Sequence, residues 1–132
     1  MKEGTRKMKQ ASFKILLLFA AALAFAACSI FGGPGKATKN FYYALEAGKI
    51  DEAMKMVSTQ TKSTMGEQKL RGVLSDLTRQ IKQRGGIKSI EITKEEITGE
   101  IADVAGTVKY KDGMTESFNQ KLFKEDGDWK FQ

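Results

Sequence analysis

The hydrophobic pattern of this chain changes its period at Gly85-Gly86, and this change constrains the fold more than any other feature. Before the two glycines, apolar residues recur at steps of three and four, which predicts an amphipathic helix. The members of this stripe are Leu70, Val73, Leu74, Leu77 and Ile81. After the glycines, apolar and polar residues alternate, as in strands with one buried face. Helices followed by strands predict an α+β domain with its helices packed on one face of an antiparallel sheet.

Two shorter helices are predicted ahead of the long one. The first starts at Ala37 and stops at Gly48, because glycine suits the residue after a helix end. The second starts with Asp51 as its N-cap. A polar stretch, residues 58–64, interrupts the helical pattern after it. The apolar positions of the two helices are Phe41, Ala44 and Leu45, then Ala53, Met54 and Val57.

Two Asp-Gly pairs divide the strand region. Asp112-Gly113 predicts a tight hairpin, since both residues tolerate a positive φ, and Asp126-Gly127 leads into a last strand. The alternation predicts a curved sheet of about four strands. In one strand Ala102, Val104, Gly106, Val108 and Tyr110 share the inward face. In the other strands the alternating residues are Ile90 and Ile92, then Phe118, Gln120 and Leu122, and the last strand holds Trp129 and Phe131.

The N-terminal residues have the pattern of an export signal. Five basic residues precede thirteen uninterrupted apolar residues, Ile15 to Ala27. A spanning helix needs about 20 apolar residues, whereas this length matches the apolar region of a secretory signal peptide. Translation from Met8 would leave two basic residues in front of the apolar run.

Cys28 directly follows the small residues Ala26 and Ala27. The stretch Phe25-Ala26-Ala27-Cys28 resembles the lipobox of bacterial lipoproteins, in which the cysteine receives a diacylglyceryl group and becomes the new N-terminus. Phe25 departs from the usual aliphatic residue, so ordinary cleavage and an uncleaved anchor are the alternatives. Cys28 is the only cysteine, which excludes an internal disulfide. We therefore divide the chain into a signal peptide (1–27), an acylated cysteine with a flexible tether (28–36) and one domain (37–132).

A lipid on Cys28 would place the domain in the bacterial cell envelope, facing away from the cytoplasm. Two acyl chains anchor a protein stably where one does not. Ser29 stands where an aspartate commonly retains lipoproteins in the inner membrane, so a Gram-negative host would favour the outer membrane.

The net charge of +6 belongs mainly to the leader. Residues 1–27 hold five of the 22 basic and one of the 16 acidic residues, so the remainder holds 17 basic and 15 acidic residues, a net charge of +2. These charges are mixed, without the basic stripe of a nucleic-acid interface. We expect no nucleic-acid partner.

Three segments of the chain resemble a known family. They are ATKNFYYALEAGKIDEA (37–53), GGIKSIEI (85–92) and DGMTESFNQKLFKEDGDWKF (112–131). They look like small bacterial lipoprotein domains of unknown function, of the lumazine-binding-like type, in the nuclear-transport-factor-like (cystatin-like, SnoaL-like) superfamily. The resemblance implies a cone-shaped fold with a cavity between helices and sheet, and it implies no fixed activity. Exposed sheet faces of this superfamily often form homodimers.

Two classes of function remain. The first is a non-enzymatic binding or interaction module, for a small apolar ligand or a protein partner, whose candidate pocket residues are Tyr42, Tyr110, Phe118 and Trp129. Tyr43 is a further candidate, although neighbouring helix residues cannot both face inward. Each of these aromatics is also a good core residue.

The alternative is an isomerase or dehydratase that uses a buried carboxylate. Asp76 and Asp103 are the carboxylates nearest the apolar runs, and both have the spacing of solvated residues. The chain has no histidine and no paired carboxylates, metal-ligand cluster or phosphate loop in its sequence pattern. We therefore expect a binding module without catalytic residues, cofactor or metal.

The lipid anchor can be tested directly at Cys28. The variant Cys28→Ser lacks the thiol that accepts the diacylglyceryl group. We expect it to lose fatty-acid labelling in the native host and to be released or stalled during export. Unchanged labelling would contradict the assignment.

Overall fold

The computed structural model describes residues 32–132. Its elements are α1 (Pro34–Glu46), α2 (Ile50–Lys55), α3 (Thr59–Met65), α4 (Glu67–Gln83), β1 (Ile87–Thr98), β2 (Ile101–Tyr110), β3 (Thr115–Glu125) and β4 (Asp128–Phe131). Residues 34–132 form one compact unit. The predicted signal peptide, its cleavage after Ala27 and the lipidation of Cys28 lie outside the described residues.

Helix α1 begins at Pro34, three residues before the predicted domain boundary. Proline suits the first turn of a helix, where its missing N–H has no partner to lose. The backbone N–H of Gly35 donates to Oε1 of Glu95 on β1 at 3.2 Å, and the hydroxyl of Thr38 donates to the carbonyl of Pro34 at 2.9 Å. Because the partner of Gly35 comes from a strand 60 residues away, local sequence could not place this helix start.

The polar stretch after α2 is itself a helix, α3, which corrects the predicted interruption. Ser58 is its N-cap, and its hydroxyl oxygen accepts the N–H of Thr61 at 3.1 Å. Helix α3 has no buried residue, so it has no apolar stripe that a periodicity argument could detect. Asp51 also differs from its predicted role, because Lys49 occupies the N-cap of α2 and the Asp51 carboxylate pairs with Arg71 at 2.6 Å.

Helix α4 buries a narrower stripe than predicted. Its buried residues are Leu70, Leu74, Thr78 and Ile81. Val73 and Leu77 are instead 41% and 36% exposed. Helix α4 packs mainly against the other three helices, so only one side of it is covered.

The four strands form an antiparallel meander in the order β1-β2-β3-β4. The predicted inward face of β2 is confirmed, since Ala102, Val104, Val108 and Tyr110 are all buried. On β3, Leu122 lies opposite Ala102, Gln120 opposite Val104, and Glu116 opposite Val108. Phe118 lies opposite Gly106. Two register shifts in β1 mark β-bulges, which bend the strand they occupy. The predicted α+β class, with helices on a four-stranded antiparallel sheet, is confirmed.

The segment from Met56 to Ser58 covers the β4 edge of the sheet. The N–H of Phe131 donates to the carbonyl of Met56 at 2.8 Å, and the N–H of Ser58 donates to the carbonyl of Phe131 at 2.7 Å. Val57 thereby forms a parallel bridge with Phe131. This pairing satisfies backbone groups that an open edge would expose and ties the helices to the end of the chain.

Gly106 permits the β1 backbone and the ring of Phe118 on β3 to lie close against β2. A Cβ at this position would overlap the carbonyl oxygen of Glu91 and would lie 2.8 Å from Cζ of Phe118. The ring of Phe118 therefore occupies the space above a strand residue that has no side chain.

We expect Gly106→Ala to lower the free energy of unfolding by about 1–3 kcal/mol, because the added methyl overpacks the sheet. Chemical denaturation measures this change. Gly72→Ala is the matched control, since Gly72 is in α4 with no atom within 4 Å of an added Cβ. That variant should instead be stabilised by about 0.5–1 kcal/mol, as expected for alanine in a helix interior. Equal effects of the two substitutions would contradict the proposed role of Gly106.

Candidate functional site

A cavity of about 170 Å³ lies between α1, α4 and the inward face of the sheet. Helix α1 contributes three lining residues, α4 and the residue after it contribute four, and β2 and β3 contribute three. In that order they are Phe41, Tyr42 and Leu45; Leu77, Gln80, Ile81 and Arg84; and Tyr110, Glu116 and Gln120. The volume is close to that of an apolar cavity that holds one benzene ring, about 150 Å³.

The inner wall of the cavity consists of buried, mainly apolar side chains. Leu45, Ile81 and Tyr110 are all buried, and they belong to the core cluster that joins the helices to β1 and β2. Phe41 packs against the same cluster. A small molecule could therefore bury an apolar body here without displacing water from fixed polar groups.

The rim carries a connected polar group. Nη2 of Arg84 donates to Oε1 of Glu116 at 2.9 Å, and the hydroxyl of Tyr110 donates to Oε2 at 3.0 Å. The Arg84 guanidinium also lies 5.1 Å from the centre of the Tyr110 ring, within range of a cation–π interaction. Both carboxylate oxygens of Glu116 thus have a partner, and its side chain is half exposed.

Arg84 is positioned by the end of α4. Its N–H bonds to the carbonyls of Gln80 and Ile81, and its carbonyl accepts the N–H of Asp112 at 3.0 Å. Gly85 and Gly86 then turn the chain toward β1, with φ values of +82° and +96° that favour glycine. These bonds hold the helix end against the β2–β3 turn, so the guanidinium reaches Glu116.

The two tyrosines of the cavity remain protonated well above neutral pH. Burial raises the pKa of Tyr110 to about 12, and the hydrogen bond to Glu116 adds to this effect. Burial also raises the pKa of Tyr42, an effect that the Gln120 side chain opposes and the charge of Glu116 reinforces. Both hydroxyls therefore serve as neutral hydrogen-bonding groups.

The structure brings together some of the predicted pocket residues and separates others. Tyr42 and Tyr110 both line the cavity. The ring of Phe118 lies 5.4 Å from that of Tyr42, behind the lining. Trp129 lies apart from the cavity lining, because β4 places it against the other core cluster, where Lys124 Nζ lies 5.6 Å from its ring centre. Tyr43 is 44% exposed on the other side of α1.

Tyr43 lines an open groove of about 350 Å³ between α1 and α2, together with Asn40, Ala44, Ala47, Lys49, Glu52 and Met56. Several of these side chains are exposed. Ala44 is its only buried lining residue, and its charged pair, Lys49 and Glu52, is 4.0 Å apart with both side chains exposed. The cavity has several buried wall residues and a hydrogen-bonded rim, and is therefore the better candidate site.

The carboxylates considered from the sequence lie away from the cavity. Asp76 is exposed and pairs with Arg79 at 2.7 Å. Asp103 faces away from the helices, opposite Lys121 on β3 and Glu96 on β1. Within residues 32–132, no three His, Cys, Asp or Glu side chains are grouped as a metal site requires, and no helix is long and apolar enough to cross a membrane.

Sequence reasoning missed Arg84 and Glu116 as site residues. Arg84 lies between the end of α4 and Gly85-Gly86, where neither helical periodicity nor strand alternation assigns a face to a side chain. Glu116 lies on a strand whose alternation could have revealed it. Glu116 lies two residues before Phe118 and four before Gln120, so it is on the same face of the strand as these two residues of the predicted alternation. Extending that alternation by two residues would have placed its carboxylate on the helix side.

Comparison with known proteins agrees with this architecture. A family profile described as "Domain of unknown function (DUF4878)" matches residues 26–132. A crystal structure described as "Putative NTF2-like transpeptidase" from Campylobacter jejuni superposes with a TM-score of 0.65 at 24% sequence identity, covering 74% of this chain and 95% of that one. This likeness shows the nuclear-transport-factor-like fold. No curated protein sequence matches the chain significantly.

The rim can be tested by titrating Tyr110. The phenolate absorbance of Tyr110 is the part of the titration signal that is missing in Tyr110→Phe. We expect this part to titrate in the wild type with a midpoint of about pH 12. In Glu116→Gln the midpoint should fall toward the ordinary value of about 10, because the carboxylate no longer accepts from the hydroxyl or repels the phenolate. Glu100→Gln is the control. Glu100 directly precedes β2, at the opposite end of the strand from Tyr110, so this substitution should leave the midpoint unchanged.

The same shift predicts how stability depends on pH. Because the pKa of Tyr110 is higher in the folded protein, its contribution to stability is complete below about pH 10 and is lost as the pH rises toward 12. Denaturation of the wild type and of Tyr110→Phe across this range should show a steeper loss in the wild type. Parallel curves would contradict the assignment.

Proposed function

The chain belongs to the DUF4878 family of domains of unknown function. We propose that it is an envelope lipoprotein. In this proposal its domain binds a small molecule in the helix–sheet cavity and does not transform it. The observation that carries this proposal is the cavity itself: buried apolar walls end at a rim of hydrogen-bonding groups. Small-molecule sites commonly combine such walls with a few converging polar groups.

The anchor in this proposal is the lipid on Cys28. The family match starts at residue 26, so most of the leader lies outside the region shared with the family. Five residues lie between Cys28 and Pro34, the first residue of α1, and a spacing of this length spans at most about 20 Å. The α1 residues that line the cavity start at Phe41, about 10 Å further along the helix axis. The anchor and the cavity therefore occupy separate parts of the chain.

The polar rim favours binding over catalysis. Glu116 is the one carboxylate among the lining residues, and both of its oxygens accept hydrogen bonds. A general base needs a carboxylate that is free to accept a proton from the substrate. An isomerase or dehydratase would have to release Glu116 from Arg84 and Tyr110 first, so we rank this alternative second.

The transpeptidase description of the Campylobacter jejuni neighbour does not transfer to the cavity. Acyl transfer of that kind commonly uses a serine, cysteine or threonine nucleophile with a base beside it. The cavity lining contains none of these three residue types and no histidine or lysine. We therefore propose no transpeptidase activity at this site.

A protein partner or a second copy would use another surface. The outer face of the sheet carries the cross-strand pairs Asp103–Lys121, Ala105–Asn119 and Thr107–Ser117, with Ile101 opposite Phe123 at one end. This largely polar face would form a polar interface, and a homodimer there stays a prediction. We propose no nucleic-acid partner, since the charges of the domain are mixed.

The proposal is tested by closing the mouth of the cavity. Leu77 lines it and is 36% exposed, so a tryptophan can enter the mouth without disrupting the core. We expect Leu77→Trp to weaken the binding of small aromatic molecules at least about tenfold, a loss of about 1.4 kcal/mol. Ligand-observed NMR on the purified full-length protein measures this binding.

The matched control is Val73→Trp. Val73 lies one turn earlier on α4, is 41% exposed and is not part of the lining. Binding to this variant should equal that of the wild type. Equal losses in both variants, or binding that persists in Leu77→Trp, would refute the cavity as the site.

A further inference from the structure

The polar groups at the rim differ in whether a ligand can use them. Glu116 is engaged by Arg84 and Tyr110 through both carboxylate oxygens. Gln120 and Tyr42 also line the cavity, and both are uncharged. An amide has two donors and an acceptor, so Gln120 keeps bonding capacity even while it contacts the Tyr42 hydroxyl.

A charged ligand would meet an unfavourable arrangement at this rim. An anionic group would place a second carboxylate beside Glu116, and both would compete for the single guanidinium of Arg84. A cationic group would approach Glu116 only with Arg84 beside it. In either case the ligand would lose water around its charge without an unshared partner of opposite charge, which is costly in a partly enclosed site.

We propose that the cavity selects a neutral molecule: an apolar body about the size of one aromatic ring that carries one uncharged donor–acceptor group, such as an amide or an alcohol, held by Gln120 and Tyr42. This inference rests on the proposed binding function. The apolar body packs against Phe41, Leu45 and Ile81. The volume of about 170 Å³ limits the ligand to this size.

The Arg84–Glu116 pair is the element that excludes anions. Removing the charge of Glu116 alone leaves Arg84 without a carboxylate partner at the mouth of the cavity. The proposal therefore makes a directional claim: Glu116→Gln converts a site for neutral molecules into a site for carboxylates. A cavity that only accepts apolar bodies of the right size would not change its charge preference in this way.

The experiment compares three probes of one shape: benzamide (neutral), benzoate (anionic) and benzamidinium (cationic). Their dissociation constants for the full-length protein are measured at neutral pH by ligand-observed NMR. We expect benzamide to bind at least tenfold more tightly than either charged probe. In Glu116→Gln, benzoate should gain at least tenfold and approach or exceed benzamide. Gln120→Met, which keeps the length of the side chain but removes its amide, should weaken benzamide severalfold.

The control is Asp76→Asn, which removes an exposed ion pair with Arg79 outside the cavity and should leave all three affinities unchanged. If the three probes bind the wild type equally, or benzoate binds best, the selectivity is refuted while the binding function stands. If none of the probes binds the wild type, both proposals fail. Thermal unfolding of each variant verifies that it is folded before its affinities are compared.

Discussion

Phe41 is the side chain through which the helices and the sheet share one interior. It packs against both core clusters of the described residues, together with Ile92 and Phe118. Its ring lies 4.3 Å from that of Phe131, at the end of the last strand. Because Phe41 also lines the cavity, the contact that holds α1 on the sheet shapes the wall of the candidate site. Aromatic contacts of this kind contribute beyond the area they bury.

Acidic side chains complete the hydrogen bonding at several element ends. Three carboxylates accept backbone N–H groups that are 41 to 66 residues away in sequence: Glu95 accepts from Gly35, Glu46 from Ile87, and Glu125 from Thr59. The first N–H groups of a helix have no partner within the helix, and a carboxylate near them is also favoured by the helix dipole. These long-range bonds tie the starts of α1, α3 and β1 to distant elements, and the bond to Gly35 holds α1, which lines the cavity, against the sheet.

The cavity lies where the inward side chains of β3 change from apolar to polar at one end of the core. The inward face of β3 is apolar at Leu122 and Phe118 but polar at Gln120 and Glu116. These polar side chains cannot fill an apolar core without partners. Arg84 and Tyr110 satisfy Glu116 at the rim, and the space between the rim and the apolar wall remains open. The Arg84–Glu116 pair therefore satisfies the hydrogen bonding of the Glu116 carboxylate and also neutralises its charge.

The sequence by itself determined the elements whose signal is local. Alternation and the Asp-Gly turns predict the strands and their inward face, and the spacing of Leu70, Leu74 and Ile81 predicts α4. Periodicity shows which residues share a face, and it does not show how much of that face a neighbour covers. Val73 and Leu77 fit the period of α4 and are nevertheless exposed.

Only the tertiary structure decided the rest. Helix α3 has no apolar stripe, and the start of α1 depends on a carboxylate from β1. The site follows the same rule, since Arg84 and Glu116 are 32 residues apart and meet because the end of α4 is bonded to the β2–β3 turn. Their partnership has no local pattern. Tyr42 and Tyr110 could be chosen from the sequence because aromatic residues on inward faces are recognisable, whereas an ion pair at a rim forms only when two elements are brought together.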